Sequence, residues 1–167
     1  MKIFNLEIHK TKLRTDINEI YEVEKSAFPP NRWASKKTLQ NRIQLFPEGS
    51  LVAKKDNHII AFTTVLIVED LKSLKALDKQ DKELHKAQNP IYWLRSLVVH
   101  KEHQRKGIGE KLIKKSIDHA KSLGKTHYRF TASKEVEPFY TKLNFKKLGN
   151  YEDFHGLPQI IWEMKLI

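Results

Sequence analysis

The chain contains no cysteine. That absence removes disulfides, thiolate metal sites and cysteine nucleophiles together, and it suits a reducing, cytoplasmic setting, which we expect here. No stretch approaches the roughly 18 apolar residues of a membrane span, and residues 1–12 alternate apolar and polar side chains without the apolar core of a signal peptide. We therefore expect no membrane association. Acidic residues are also scarce, 20 against 31 lysines and arginines, leaving a formal charge of +11. Such a balance attracts nucleic acid, an acidic membrane surface or a polyphosphorylated small molecule, and only the placement of the charges can choose among them. No helix-turn-helix, zinc pattern or aromatic RNA-binding sequence accompanies the charge, so nucleic acid ranks below the small molecule as a partner. We expect no metal cofactor.

What is present is globular. Hydrophobic residues make up 40%, charged residues 31% and aromatics 10% of 167 residues, the length of one ordinary domain, and we place a single domain over 1–167. Residues 2–9 put Ile3, Phe4, Leu6 and Ile8 into a first strand. Residues 16–28 read as a helix, with Asp16 as its cap and Ile17, Ile20, Val23 and Ala27 on one face, stopped by Pro29 and Pro30. A second helix spans 35–46, with Ser35 as cap and Leu39, Ile43 and Phe46 inward. Residues 51–55 and 59–68 form a hairpin around Asp56, Asn57 and His58. The charged stretch 69–89, with Leu71, Leu74, Leu77 and Leu84 at rough helical spacing, reads as an exposed amphipathic insertion. After it come a strand (91–99), a helix burying Leu112, Ile113, Ile117 and Ala120 up to Gly124, a strand (126–132), a short helix (135–143) and a closing pair of strands (145–148 and 160–166).

The chemistry concentrates in Gln104-Arg105-Lys106-Gly107-Ile108-Gly109, between a strand and a helix. The first turn of a helix offers amide hydrogens without internal partners and the positive end of the helix dipole, so an anion is stabilised there. Gly107 and Gly109 let the backbone approach a pyrophosphate, and Arg105 and Lys106 add charge beside it. The pattern is neither the G-x-x-x-x-G-K-S/T of a P-loop nor the three-glycine dinucleotide fingerprint.

The segment LRSLVVHKEHQRKGIGEKLIKKSIDHA resembles motif A of the GNAT superfamily, a strand ending in V-V followed by Q/R-x-x-G-x-G/A and a helix. VEPFYTKLNF resembles the second GNAT motif, with the aromatic pair Phe139-Tyr140 and with Asn144-Phe145 where the family has a G-F step; asparagine tolerates the left-handed conformation well. The resemblance implies an α/β GNAT fold, a mixed central sheet of about seven strands flanked by about four helices, with a helical insertion near 70–89. The helix ending in Ala27-Phe28-Pro29, together with VEPFY, also resembles the arylalkylamine N-acetyltransferase branch.

The resemblance further implies acetyl-CoA as co-substrate and an amine as acceptor. The backbone of Leu97, Val98 and Val99 would pair with pantetheine, one of its amides polarising the thioester carbonyl. Gln104, Arg105, Lys106, Gly107, Ile108 and Gly109 would hold the pyrophosphate, and Ser133 and Phe139 would contact the cofactor. Tyr140 matches the family's general acid; the alternative is an aromatic packed under the last strands. Phe28, Pro29 and Trp33 fall in the loop that borders the acceptor pocket in relatives, and Trp93 and Arg95 on the strand are further lining candidates, with core packing as the alternative. Trp93 and Arg95 also occupy the positions at which the arylalkylamine branch carries two histidines, and neither can act as a base. Glu22, Glu24, His100, His103, His127, His155 or an ordered water chain remain open for that role. The competing functions are an acyl-CoA-binding module with weak or no catalysis, a protein lysine or N-terminal acetyltransferase, and, behind these, a basic nucleic-acid-associated protein. Either a monomer or a homodimer fits.

Overall fold

The computed structural model describes residues 5–70, 81–153 and 156–167. In chain order the elements are β1 (Leu6–Lys10), α1 (Leu13–Ala27), α2 (Lys36–Leu45), β2 (Leu51–Lys55), β3 (His58–Val68), α3 (Asp81–Leu84), β4 (Ile91–Val99), α4 (Ile108–Ser122), β5 (His127–Ser133), α5 (Glu137–Lys142), β6 (Lys146–Glu152) and β7 (Pro158–Lys165). The strands hydrogen-bond in the order β1-β2-β3-β4-β5-β7-β6. The β1–β2 and β2–β3 pairs are antiparallel, β4–β5 is parallel, and β7 runs antiparallel to both β5 and β6. This is the mixed seven-stranded α/β sheet expected from the sequence. The chain folds into two compact units, Met1–Val65 with Arg95–Asp118 and Leu66–Leu94 with His119–Ile167.

In the first unit, Ile17, Ile20 and Val23 of α1 and Leu39 and Ile43 of α2 pack with Val52, Ile59, Phe62 and Val98. On the opposite side of the alternating strands, Leu51, Ala53, Ile60 and Ala61 pack with Ile108 and Leu112 of α4. Each buried valine, leucine, isoleucine or phenylalanine among them contributes roughly 1.5–3 kcal/mol. Helix α1 begins earlier than its cap signal suggested. Its N-cap is Lys12, and Asp16, one turn in, accepts a hydrogen bond from the Lys12 amide at 2.8 Å. The carboxylate thus serves a free amide from inside the helix, because Leu13 already packs against the apolar cluster. Ser35 caps α2 as expected, accepting from the Thr38 amide at 3.0 Å. The β2–β3 turn is a two-residue connection, with Asp56 and Asn57 at φ 50° and 67°, the left-handed pair that matches strand twist.

In the second unit, alternate residues of β5 and β7 build an aromatic core from Tyr128, Phe130 and Trp162 with Tyr140 and Phe145. Lys125, almost fully buried, donates to the Ala87 and Asn89 carbonyls at 2.7 and 2.8 Å, fastening the chain that leads into β4. Of the expected insertion, Asp81–Leu84 is helical and Leu84 is buried. Leu71, Leu74 and Leu77 lie outside the described residues, as do Ile3 and Phe4 of the expected first strand. Among the described residues no helix is long and apolar enough to cross a membrane.

Candidate active site

Strand β4 pairs with β5 over Ile91, Tyr92 and Trp93 only, although it continues to Val99. Its amides and carbonyls beyond Trp93 are therefore not spent on β5, which leaves extended backbone available to an extended ligand. Leu97 and Val99 pack beside the cluster that holds the start of α4, and Val98 points the other way into the α1–α2 core, so the strand end is gripped from both faces.

From that strand end the chain makes one 3-10 turn, Lys101–His103, capped by His100, whose Nδ1 accepts from the Glu102 amide at 3.2 Å. Gln104 reaches back and donates from Nε2 to the Val99 carbonyl at 3.0 Å, tying the turn to the strand. Arg105 and Gly107 then take φ of 60° and 81°. These left-handed residues turn the chain into α4, where buried Ile108 anchors the first turn. A Cβ placed on Gly107 would meet nothing within 4 Å. The requirement for glycine there is conformational, and the space in front of it is open for a phosphate. Gly109 lies inside α4, and the second left-handed position is Arg105, a conformation that the glycine pattern did not reveal. Arg105 and Lys106 are exposed beside the turn, and Lys106 Nζ donates to the Glu102 carbonyl at 3.3 Å. Burial, with help from Lys106, Lys55 and His100, pushes His103 below its ordinary value. A backbone cradle, a helix N-terminus and two basic side chains fit a diphosphate.

Tyr140 lies in the second unit, on α5, only 7% exposed. Phe130, Phe139, Trp162 and Phe145 surround it at ring separations of 4.4, 4.9, 5.8 and 6.0 Å. It is packed under the last strands, and that same burial pushes its hydroxyl up, which keeps the proton on at neutral pH. Ser133 ends β5 opposite Gln159 and makes no capping bond with its side chain. Asn144 takes φ 67°, the conformation expected of it.

The loop after α1 is closed on itself by Trp33, whose Nε1 donates to the Phe28 carbonyl at 2.6 Å. Phe28 packs against the α1–α2 core while Pro29 is exposed. Trp93, 2% exposed, is a core residue of the second unit, and Arg95 is half-buried on β4. Among the candidate bases, Glu22 is exposed and paired with Lys25 at 2.6 Å, and His127 stands 3.8 Å from Glu163. His155 lies outside the described residues. Glu24 differs from the others: it is 4% exposed, and its Oε1 accepts from the Ala34 amide at 2.9 Å. Burial pushes this carboxyl above its ordinary value, opposed by the Ala34 amide and by Arg42. The signal for it was available in the sequence, since position 24 falls on the same helical face as Ile17, Ile20 and Ala27.

A strand end with unspent backbone, followed by a glycine turn and a basic helix start, has the shape and charge to suit an extended, phosphorylated ligand. The chain belongs to the acetyltransferase (GNAT) family, whose model matches residues 16–145. Its fold is similar to that of the loading GNATL domain of CurA from Lyngbya majuscula, with a TM-score of 0.83 at 12% identity over 96% of this chain and 98% of that one. It is also similar to the GphF GNAT-like decarboxylase in complex with isobutyryl-CoA, with a TM-score of 0.79 at 15% identity over 96% and 100%. A third relative in structure is the PaiA N-acetyltransferase from Thermoplasma acidophilum in complex with coenzyme A, with a TM-score of 0.69 at 18% identity over 96% and 99%. No curated protein matches the chain in sequence. Nothing in these likenesses singles out the arylalkylamine branch.

Proposed function

We propose that the chain is an N-acetyltransferase that moves an acetyl group from acetyl-CoA to a primary amine by direct attack within a ternary complex. The observation that carries the reading is the turn from Gln104 to Gly109, with left-handed Arg105 and Gly107 and open space before Gly107. The decarboxylase and the N-acetyltransferase similar in fold were both solved with coenzyme A or its thioester although their names give different reactions, which supports the cofactor more strongly than the reaction.

In this reading the amides of Gln104, Arg105, Lys106, Gly107, Ile108 and Gly109 hold the pyrophosphate, and the backbone of Leu97, Val98 and Val99 pairs with the pantetheine arm. Bound acetyl-CoA supplies an activated acyl group. A strand amide aimed at the carbonyl oxygen stabilises charge as it develops. Tyr140 is the donor that the family resemblance assigns to the departing thiolate, and its burial, which makes the phenol a weaker acid, counts against that role. Phe28, Pro29 and Trp33 border the acceptor, with Arg95 of the same unit as further lining, whereas Trp93 serves as a core residue. The acceptor is either a small amine or a protein amine.

A binding module without transfer is the second reading, favoured by Trp93 and Arg95 standing where one branch of the superfamily carries histidines. Thiol release from acetyl-CoA, followed across a panel of primary amines and peptides, separates the two. Amine-dependent release supports transfer; micromolar acetyl-CoA binding with no release from any amine supports the module.

A further inference from the structure

Beneath α1 and α2 the first unit carries a buried polar group that cofactor binding does not use. Glu24 commits Oε1 to the Ala34 amide, and its Oε2 has no hydrogen-bond partner among the described residues. Arg42 of α2 faces it and donates from Nη1 to Ser96 Oγ on β4, at a long 3.4 Å. Ser96 shares its face with Val98, and Thr64 shares its face with Phe62, so both lie on the side of the sheet that α1 and α2 cover. Thr64 Oγ1 is fully buried and has no hydrogen-bond partner among the described residues. One carboxylate oxygen of Glu24 is thus uncommitted on this side of the sheet, and the buried Thr64 hydroxyl is unmet there, at a cost of about 1–3 kcal/mol.

The position of this group is informative. The Ala34 amide that Glu24 holds belongs to the loop closed by the Trp33–Phe28 bond, and Ser96 immediately precedes Leu97 on the strand assigned to pantetheine. Glu24 thus bonds the loop assigned to the acceptor, and Arg42, whose charge acts on Glu24, bonds the strand assigned to the thioester, inside one compact unit.

We infer that Glu24 is the catalytic base, its Oε2 binding a primary ammonium on an apolar or aromatic stem and taking one of its protons. The inference rests on the acetyltransferase reading above. The ammonium loses one proton to Glu24, and the neutral nitrogen lone pair attacks the thioester carbon. The C–N bond forms, the C–S bond breaks with its electron pair leaving on sulfur, and the second nitrogen proton passes to solvent, which resupplies the proton delivered to the thiolate. Glu24 returns its proton to solvent. Arg42 is the charged group that faces Glu24 from α2, the loop contributes the neutral Ala34 amide, and β4 contributes the neutral Ser96 through Arg42.

The test is Glu24→Gln, which keeps an oxygen for the Ala34 amide and removes the base, with Glu24→Asp as the variant that restores the charge at shorter reach. On the amine that the wild type acetylates, we expect kcat to fall about 100-fold in Glu24→Gln, with acetyl-CoA affinity unchanged. The acid limb of the wild-type pH profile should vanish in Glu24→Gln and return in Glu24→Asp. A readout independent of turnover is carbon-13 NMR of glutamate carboxyls in the wild type without acetyl-CoA: the Glu24 midpoint should move down when the amine is added, because an ammonium stabilises the carboxylate. An active wild type whose Glu24→Gln variant keeps its kcat and acid limb, or a Glu24 midpoint that ignores the amine, overturns this inference alone. A wild type that binds acetyl-CoA and acetylates no amine overturns the acetyltransferase reading and this inference with it.

Discussion

The turn at 104–109 and the carboxylate of Glu24 belong to the same compact unit and are built in opposite ways. The turn is exposed, made from backbone, and shaped by the left-handed conformations of Arg105 and Gly107. Glu24 is buried, acts through a side chain, and is shaped by what packs over it. Backbone sites write themselves into sequence, because few residues accept the left-handed conformations they need. Side-chain sites depend on burial, which one residue does not announce.

The contrast can be broken most severely at Gly107. Glutamate there meets the left-handed φ of 81°, which costs about 1–2 kcal/mol, and adds an anion at the turn proposed to hold the pyrophosphate. We expect at least about a 100-fold loss of acetyl-CoA affinity by calorimetry, with Glu24→Gln as the contrasting variant that keeps affinity and loses turnover. Glu24→Gln also sharpens the comparison through stability. Burial raises the Glu24 carboxyl above its ordinary 4.5, so the native chain holds that proton more tightly than the unfolded chain. The wild type accordingly loses stability as pH rises through that range, and neutral glutamine does not. Glu24→Gln should melt higher than wild type near about pH 7 and equally near about pH 4; the reverse order would mean that the charged form is the stabilised one.

Tyr140→Phe asks whether a packed ring also serves as an acid. Its hydroxyl makes no hydrogen bond to the described residues, so removal should leave the melting temperature within a few degrees, while kcat falls about 10- to 100-fold. Unchanged kcat would leave Tyr140 with packing alone. Gln104→Ala loses the bond to the Val99 carbonyl, worth about 0.5–1.5 kcal/mol, and should weaken acetyl-CoA roughly three- to tenfold by loosening the turn from the strand. Asn144→Gly relieves a left-handed asparagine at φ 67° outside both regions and should raise the melting temperature slightly with kinetics unchanged.

The fold was readable because its apolar periodicities are clean. Leu39 and Ile43 lie inward on α2, Leu112, Ile113, Ile117 and Ala120 on α4, and Asp56-Asn57 makes the hairpin turn. Misplacement of the α1 start came from giving Asp16 the role of cap, when an aspartate one turn inside can satisfy the same amide. The site was readable where glycine marks it and silent at Arg105, whose positive φ no composition rule foretells. Glu24 could have been singled out from its helical face but not from its residue type. Its setting depends on Ala34, Arg42 and Ser96, which come from a loop, a helix and a strand.

The most direct test of the account is calorimetric binding of acetyl-CoA to the wild-type chain, beside dephospho-CoA and ATP, repeated with Gly107→Glu. We expect micromolar acetyl-CoA binding that the substitution abolishes. Absence of acetyl-CoA binding, together with tight and strongly salt-dependent binding of nucleic acid, would contradict the account and give the +11 charge a different purpose.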